Sequence, residues 1–303
     1  MNVLKYSLVG GMRNKIRGFK AMNLCDYGTV NRILAKHGFS FSKALGQNFL
    51  INPEVCPAMA ESLCADDKTG VIEIGAGVGV LTKELCRAAG KVVTVELDNR
   101  LFPVLGETLA GCDNLTLIKG DIMKININDL IKEHFADMNQ IKVCANLPYY
   151  ITSPVLMLLL QGGFDINEIV VMVQKEAGER FCAPVGSRES GAITVTANYY
   201  AESEILFEVK KESFMPSPKV DSVVMRITPR KKKAVDVADE KHFMAVIRAA
   251  FAQRRKTALN CLSNGLGIPK AQVAEALQSL GIDEKARPES FSLQNFADLA
   301  KLL

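Results

Sequence analysis

Four consecutive residues, Asn146-Leu147-Pro148-Tyr149, carry the most specific chemistry in this chain. They follow a short apolar run, Ile141 to Ala145, that reads as a strand. They precede a helix-like segment from Ser153 to Gln161. An amide, a rigid turn and an aromatic ring at a strand's carboxyl end make a clamp for a planar ring bearing an exocyclic amine. The Asn146 side-chain carbonyl can accept from an amine N–H. Pro148 lacks an N–H and fixes the turn, so the Leu147 carbonyl can face the same amine. Tyr149 can stack on the ring face. Four residues alone do not separate this clamp from a plain strand-to-helix turn.

A second cluster lies upstream, in Glu73-Ile74-Gly75-Ala76-Gly77-Val78-Gly79. Glycines between a strand and a helix let a ligand approach the backbone closely. A dinucleotide fingerprint needs G-x-G-x-x-G, which would put a third glycine at position 80. Position 80 is Val, and the glycine is at 79. The G-x-G-x-G spacing, with an acid two residues ahead, is the pattern of S-adenosylmethionine-dependent methyltransferases. Gly75 and Gly77 are therefore expected at the cofactor. Glu96 ends the next strand, where a carboxylate can accept both hydroxyls of a ribose. Asp121 ends the third; it can accept from the cofactor's adenine amine, with Ile122 covering the ring.

The elements that must position these residues follow from the hydrophobic pattern. Val71–Ile74, Val92–Val95, Leu115–Ile118, Ile141–Ala145 and Ile169–Val173 are short continuous apolar runs separated by helical segments. Such runs imply a parallel, doubly wound α/β sheet; with the glycine motif beside it, the pattern resembles the Rossmann-like sheet of class I methyltransferases. Ile205–Val209 and Ser222–Ile227 are expected to form an antiparallel pair at the sheet's edge. From Asp239 onward strand signals stop and apolar residues recur at helical spacing. The expected division is a basic extension over 1–21, a methyltransferase domain over 22–229, a charged linker over 230–238 and a small all-helical domain over 239–303.

Composition bounds the remaining possibilities. The chain has 303 residues and 48% hydrophobic content, enough for a sizeable core. No run reaches the ~18 apolar residues of a membrane span. The eight cysteines are scattered without a CxxC pair, as expected of buried free thiols rather than a metal or disulfide framework. The formal charge of +4 comes from residues 1–21, which hold five basic residues and no acid. The remainder has 32 basic against 33 acidic residues. A polyanionic partner must therefore be met by local patches, not bulk charge. The acid-free segment reads as a nucleic-acid-binding arm or an upstream extension before Met22, disordered in isolation; an organellar presequence is the alternative.

With both motifs in place, the chain resembles the ribosomal RNA adenine dimethyltransferase family, and within it the small-subunit, kasugamycin-resistance branch. The resemblance runs from about Asn23 to the C-terminus. It is carried by Lys43 to Leu50 (KALGQNFL), the glycine motif, Asn146 to Tyr149, Phe214 to Ser222 (FMPSPKVDS) and Ala250 to Thr257 (AFAQRRKT). It implies cofactor contacts at Asn48, Leu50, Gly75, Glu96, Asp121 and Asn146. The implied reaction is dimethylation of N6 on two adjacent adenines near the 3′ end of small-subunit ribosomal RNA, in an immature subunit. Phe214 would then oppose Tyr149 across the target base. Lys43, Arg248, Arg254, Arg255 and Lys256 are the expected contacts to the RNA backbone. Arg248 and Arg255 would share a helix face if that helix is continuous. A monomer in the cytoplasm is expected. Relatives that methylate large-subunit RNA share the core motifs, and an assembly factor with secondary methylation is another reading. A dinucleotide-dependent oxidoreductase is disfavoured by Val80.

Overall fold

The computed structural model describes residues 5–6, 22–42 and 46–303, with only the backbone of Lys5 and Tyr6. The role given to Lys43 and the expected disorder of the rest of segment 1–21 fall outside the described residues. Lys5 and Tyr6, expected in a disordered extension, instead pair antiparallel with Ile118 and Leu117, at an edge that among the described residues leaves backbone groups open to a further strand.

The strands are β1 (Lys5–Tyr6), β2 (Phe49–Leu50), β3 (Thr69–Ile74), β4 (Lys91–Glu96), β5 (Leu115–Lys119), β6 (Gln140–Asn146), β7 (Glu168–Gln174), β8 (Ala201–Val209), β9 (Phe214–Met215) and β10 (Ser222–Pro229). Eight form one sheet in the order β1-β5-β4-β3-β6-β7-β10-β8, and β2 pairs with β9 separately. The pairs from β5 through β7 are all parallel. β10 runs antiparallel to β7, with Val223 opposite Val173.

The central strands are β-branched and apolar because helices cover both faces. Every residue of β3 is buried. The chain builds outward from β3 through β4 to β5, then returns to lay β6 on the other side of β3. The order reverses between β3 and β6, and open α/β sheets bind ligands in the crevice at that switch point. Glu73 and Cys144 face each other in register there, so Gly75 and Asn146 leave the sheet side by side.

The chain divides into two compact units, one of residues 1–175 and 205–227, the other of 176–204 and 228–303. The expected helical domain thus gains residues 176–204 beyond the 239–303 read from periodicity, and the 230–238 expected as a linker belongs to the same unit. The reason lies in the helix Ala192–Tyr200, whose Tyr199 ring packs on Phe243 at 4.9 Å. The neighbouring Tyr200 hydroxyl donates to Glu240 at 2.5 Å. In the same unit Phe296 packs between Phe251 and Phe291, at 5.7 and 5.6 Å. No helix among the described residues is long and apolar enough to cross a membrane.

Candidate active site

The glycine loop is shaped by backbone conformation. Gly75, Gly77 and Gly79 have φ values of 81, 57 and 89°. L-residues rarely adopt these angles, which accounts for three glycines at alternate positions. The two ends of the loop need glycine for different reasons. A Cβ at Gly79 would lie 2.8 Å from Leu109, so this glycine lets the following helix Val80–Ala88 pack. A Cβ at Gly75 would meet nothing within 4 Å. Gly75 faces open space, as a backbone does when a ligand must lie against it.

Three carboxylates stand around the loop. Glu96 is buried; Oε2 accepts from the Gly77 amide at 3.2 Å and Oε1 from the Asp98 amide at 2.8 Å. Burial pushes its pKa up, and those backbone amides pull it back. With the Ala76 amide also acting on it, the carboxylate has three amide donors and four lone pairs, so Glu96 can still accept from a ligand hydroxyl. Asp121 accepts from the Met123 amide at 3.0 Å, while Ile122 is buried beside it. Glu73 lies wholly inside. Its Oε2 accepts from the Thr94 hydroxyl at 2.7 Å, and the Thr82 hydroxyl also acts on the carboxyl, easing its burial. Burial raises the Glu73 pKa to about 7.

The turn after β6 is fixed from behind. The Leu147 amide donates to the Met172 carbonyl at 3.1 Å, and the Leu147 side chain is buried. Tyr149 is half-buried, and its hydroxyl shares a 2.8 Å hydrogen bond with that of the fully buried Ser222. By contrast, the Asn146 side-chain amide makes no hydrogen bond among the described residues. Its oxygen is thus available to an incoming amine.

One cavity of the first unit is lined by Asn48, Leu50, Gly75, Gly77, Glu96, Asp121, Ile122 and Asn146, and also by Leu147, Pro148, Tyr149 and Phe214. The residues expected at the cofactor and those expected at the reacting base therefore share a single space. Phe214 is a core residue as well as a wall, only 4% exposed, held in β9 opposite Leu50 of β2. Sequence reasoning missed Leu97, Tyr150 and Ile151, which also line the cavity, and Ser222, which anchors Tyr149. Leu97 and Tyr150 adjoin residues already singled out. Ser222 was read only as the end of the Phe214 motif and the start of a strand.

The cationic residues belong to the second unit. Helix Glu240–Ala250 carries Arg248 in its last turn and closes at Phe251. Arg254, Arg255 and Lys256 lie in the turn before the next helix, Ala258–Leu266. The helix is not continuous, so Arg248 and Arg255 do not share a helical face. All four are exposed, and none forms an ion pair among the described residues. The run from Arg230 to Lys233 is partly engaged in structure instead: Arg230 pairs with Glu202 at 2.8 Å and Lys233 with Glu240.

Comparison with known proteins bears on this geometry. The family model described as ribosomal RNA adenine dimethylase matches residues 38–303. A protein of Geobacillus thermodenitrificans named ribosomal RNA small subunit methyltransferase A is 44% identical over 91% of this chain and 95% of its own length. The protein of that name from Anoxybacillus flavithermus is 44% identical over 92% of this chain and 96% of its own. Among solved structures, a dimethyladenosine transferase from Plasmodium falciparum superposes with a TM-score of 0.68 at 26% identity, covering 83% of this chain and 95% of that one. The 23S rRNA methyltransferase ErmE, at 24% identity, shares the fold with a TM-score of 0.63, covering 84% and 99%. A match that begins at residue 38 and runs to the last residue takes in both the glycine loop and the Asn146 turn: the chain belongs to the ribosomal RNA adenine dimethylase family and is a methyltransferase of Rossmann-like fold.

Proposed function

We propose that this protein transfers methyl groups from S-adenosylmethionine to N6 of two adjacent adenines near the 3′ end of small-subunit ribosomal RNA, within an immature subunit. The observation that carries the reading is the shared cavity, in which the glycine loop and Glu96 stand beside the Asn146 turn. The names of the 44% identical relatives support the choice of the small subunit.

The open face of Gly75 and the buried carboxylate of Glu96 suit an adenosine-bearing cofactor without a pyrophosphate. When bound, S-adenosylmethionine supplies an electrophilic methyl group. The rest is the work of this chain's own residues. An adenine N6 amine is a poor nucleophile because its lone pair is delocalised into the ring. In the first transfer Asn146 Oδ1 and the Leu147 carbonyl accept its two N–H bonds and favour a pyramidal nitrogen; in the second, the monomethylated amine gives its one remaining N–H to either acceptor. As the N–C bond forms, positive charge grows on that nitrogen, and the same two dipoles stabilise it more than the neutral amine. The protonated product amine is acidic and loses its proton to solvent, so no strong base is required. Tyr149, held by Ser222, stacks on the base and fixes its angle. The base must leave its own stack to reach this cavity. Arg248, Arg254, Arg255 and Lys256 act on the RNA backbone as exposed charges.

The test is methyl transfer to purified small subunits lacking the modification, with modified nucleosides mapped. Two adjacent N6,N6-dimethyladenosines near the 3′ end are expected. Modification confined to large-subunit RNA would overturn the reading.

A further inference from the structure

Tyr149 and Tyr150 are consecutive, yet their side chains lie in different settings. The short 3-10 turn Tyr149–Ile151 separates successive side chains widely around its axis. Tyr149 turns inward to Ser222, whereas Tyr150 stays 54% exposed on the wall of the same cavity. Its hydroxyl has no hydrogen-bond partner among the described residues. Its ring rests beside Gly46 and Pro148. A methyl group placed on Gly46 would touch Tyr150 Cδ1 and Cε1 at 3.4 Å and the Pro148 ring at 3.5 Å, ordinary contact distances. The φ of 59° is what favours glycine at that position. The exposed ring is thus backed by Gly46 on one side and open to solvent on the other.

Tyr150 is not alone: Leu97, 48% exposed, lines the same cavity, so apolar surface is left there for a ligand to cover. The proposed substrate is a polynucleotide, so a base drawn into the cavity leaves a neighbour one nucleotide step outside. Unstacked from its partner, that neighbour has a free face, and every base has a face on which an aromatic ring can stack.

We propose that Tyr150 forms a second base subsite, stacking on the nucleobase next to the adenine being methylated. This rests on the reading of the protein as an RNA adenine methyltransferase. The subsite is tolerant of base identity, because stacking on a phenol ring reads no hydrogen-bonding edge. It holds the strand while the reacting base sits against Tyr149, and its contribution falls on RNA binding rather than on the cofactor.

The experiment compares wild type with Tyr150→Ala, Tyr150→Leu and Tyr150→Phe. Each is assayed for methyl transfer to small subunits lacking the modification and for S-adenosylmethionine binding by calorimetry. Tyr150→Ala and Tyr150→Leu should each lower kcat/KM for the subunits by roughly tenfold, the scale of one lost base–aromatic stack, chiefly through KM. Tyr150→Phe should stay within about twofold of wild type, since the ring is kept. Cofactor affinity should be unchanged in all three. A Tyr150→Leu variant as active as Tyr150→Phe overturns the proposal, because an apolar contact on Gly46 would then be all that matters. So does a loss of cofactor affinity that matches the loss in kcat/KM. Wild-type protein that binds the cofactor but leaves the subunits unmethylated overturns the functional reading, and the subsite with it.

Discussion

The side-chain amide of Gln47 donates to Oδ2 of Asp98 at 2.8 Å, tying the segment before β2 to the residue two past Glu96. The carboxylate is shared. Arg100 grips it through Nε at 2.9 Å and Nη2 at 2.6 Å, and reaches the Ser40 carbonyl at 3.1 Å. Its guanidinium also lies 4.9 Å from the centroid of Phe39, which packs on Phe49. The Asp98 amide in turn donates to Glu96. This clasp holds one wall of the cavity against the residue expected at the ribose. Gln47→Ala should weaken S-adenosylmethionine binding by about tenfold, the scale of one hydrogen bond to a charged group. The melting temperature should shift little. Calorimetry beside thermal unfolding checks this, and unchanged affinity would make the clasp purely architectural.

Glu96→Ala removes the carboxylate itself. Loss of a pair of charge-assisted hydrogen bonds should weaken cofactor binding by about one to two orders of magnitude. Tight NADH binding with no measurable S-adenosylmethionine binding in the wild type would contradict the assignment outright.

Asn146→Ala should cut methyl transfer by roughly a hundredfold or more, as expected when one transition-state dipole is lost. The fold should survive, because no hydrogen bond within the protein is broken. Cofactor affinity must be measured in parallel, since Asn146 lines both halves of the cavity. Near-normal single-turnover rates in the variant would remove Asn146 from the mechanism.

Glu73 predicts a pH dependence of stability. Burial lifts its pKa from the ordinary 4.5 to about 7, so the folded protein holds this proton more tightly than the unfolded chain. Ionising it costs stability: the penalty is absent below about pH 4.5, grows as pH rises and is complete above about pH 7. A shift of this size corresponds to a penalty on the order of 3 kcal/mol. Urea unfolding of wild type and Glu73→Gln at pH 5 and pH 8 measures it. The variant should gain on wild type as pH rises, and parallel profiles would mean that the carboxyl titrates normally.

Charge reversal at Arg254 and Arg255 should weaken binding to the immature subunit and flatten its dependence on salt, because fewer counterions are released. S-adenosylmethionine affinity should not change. A salt slope identical to wild type would return these arginines to an ordinary solvated surface.

Much of the cavity was legible because its parts lie at strand ends, and strand ends are marked by local pattern. The third glycine at 79 separated two cofactor classes, and its φ of 89° shows why that position is fixed. Helix Ala192–Tyr200 was not legible. Its sequence AITVTANYY is rich in β-branched and aromatic residues, and burial of Val195 and Tyr199 overrides that strand-like preference. The break after Ala250 was also hidden. Residues 251–257 contain neither Gly nor Pro, and the stop depends on Thr257 capping the next helix. That helix then packs so closely on its neighbour that a Cβ at Gly265 would lie 2.6 Å from Ala249. The Gln47–Asp98 and Tyr149–Ser222 contacts join residues far apart in one chain, which no local pattern reveals.

The pairing of β2 with β9 has a consequence for how the protein is made. Asn52 donates to the Ser213 hydroxyl, 161 positions further along the chain, and Leu50 waits for Phe214. At roughly 5–20 residues per second, a ribosome needs about ten to thirty seconds to supply the second strand after the first has emerged. During that interval Phe49 and Leu50 have no strand to join. A small molecule that fits the finished cavity can steady the completed protein, but on a chain stalled before residue 214 it meets a cavity with the Phe214 wall missing.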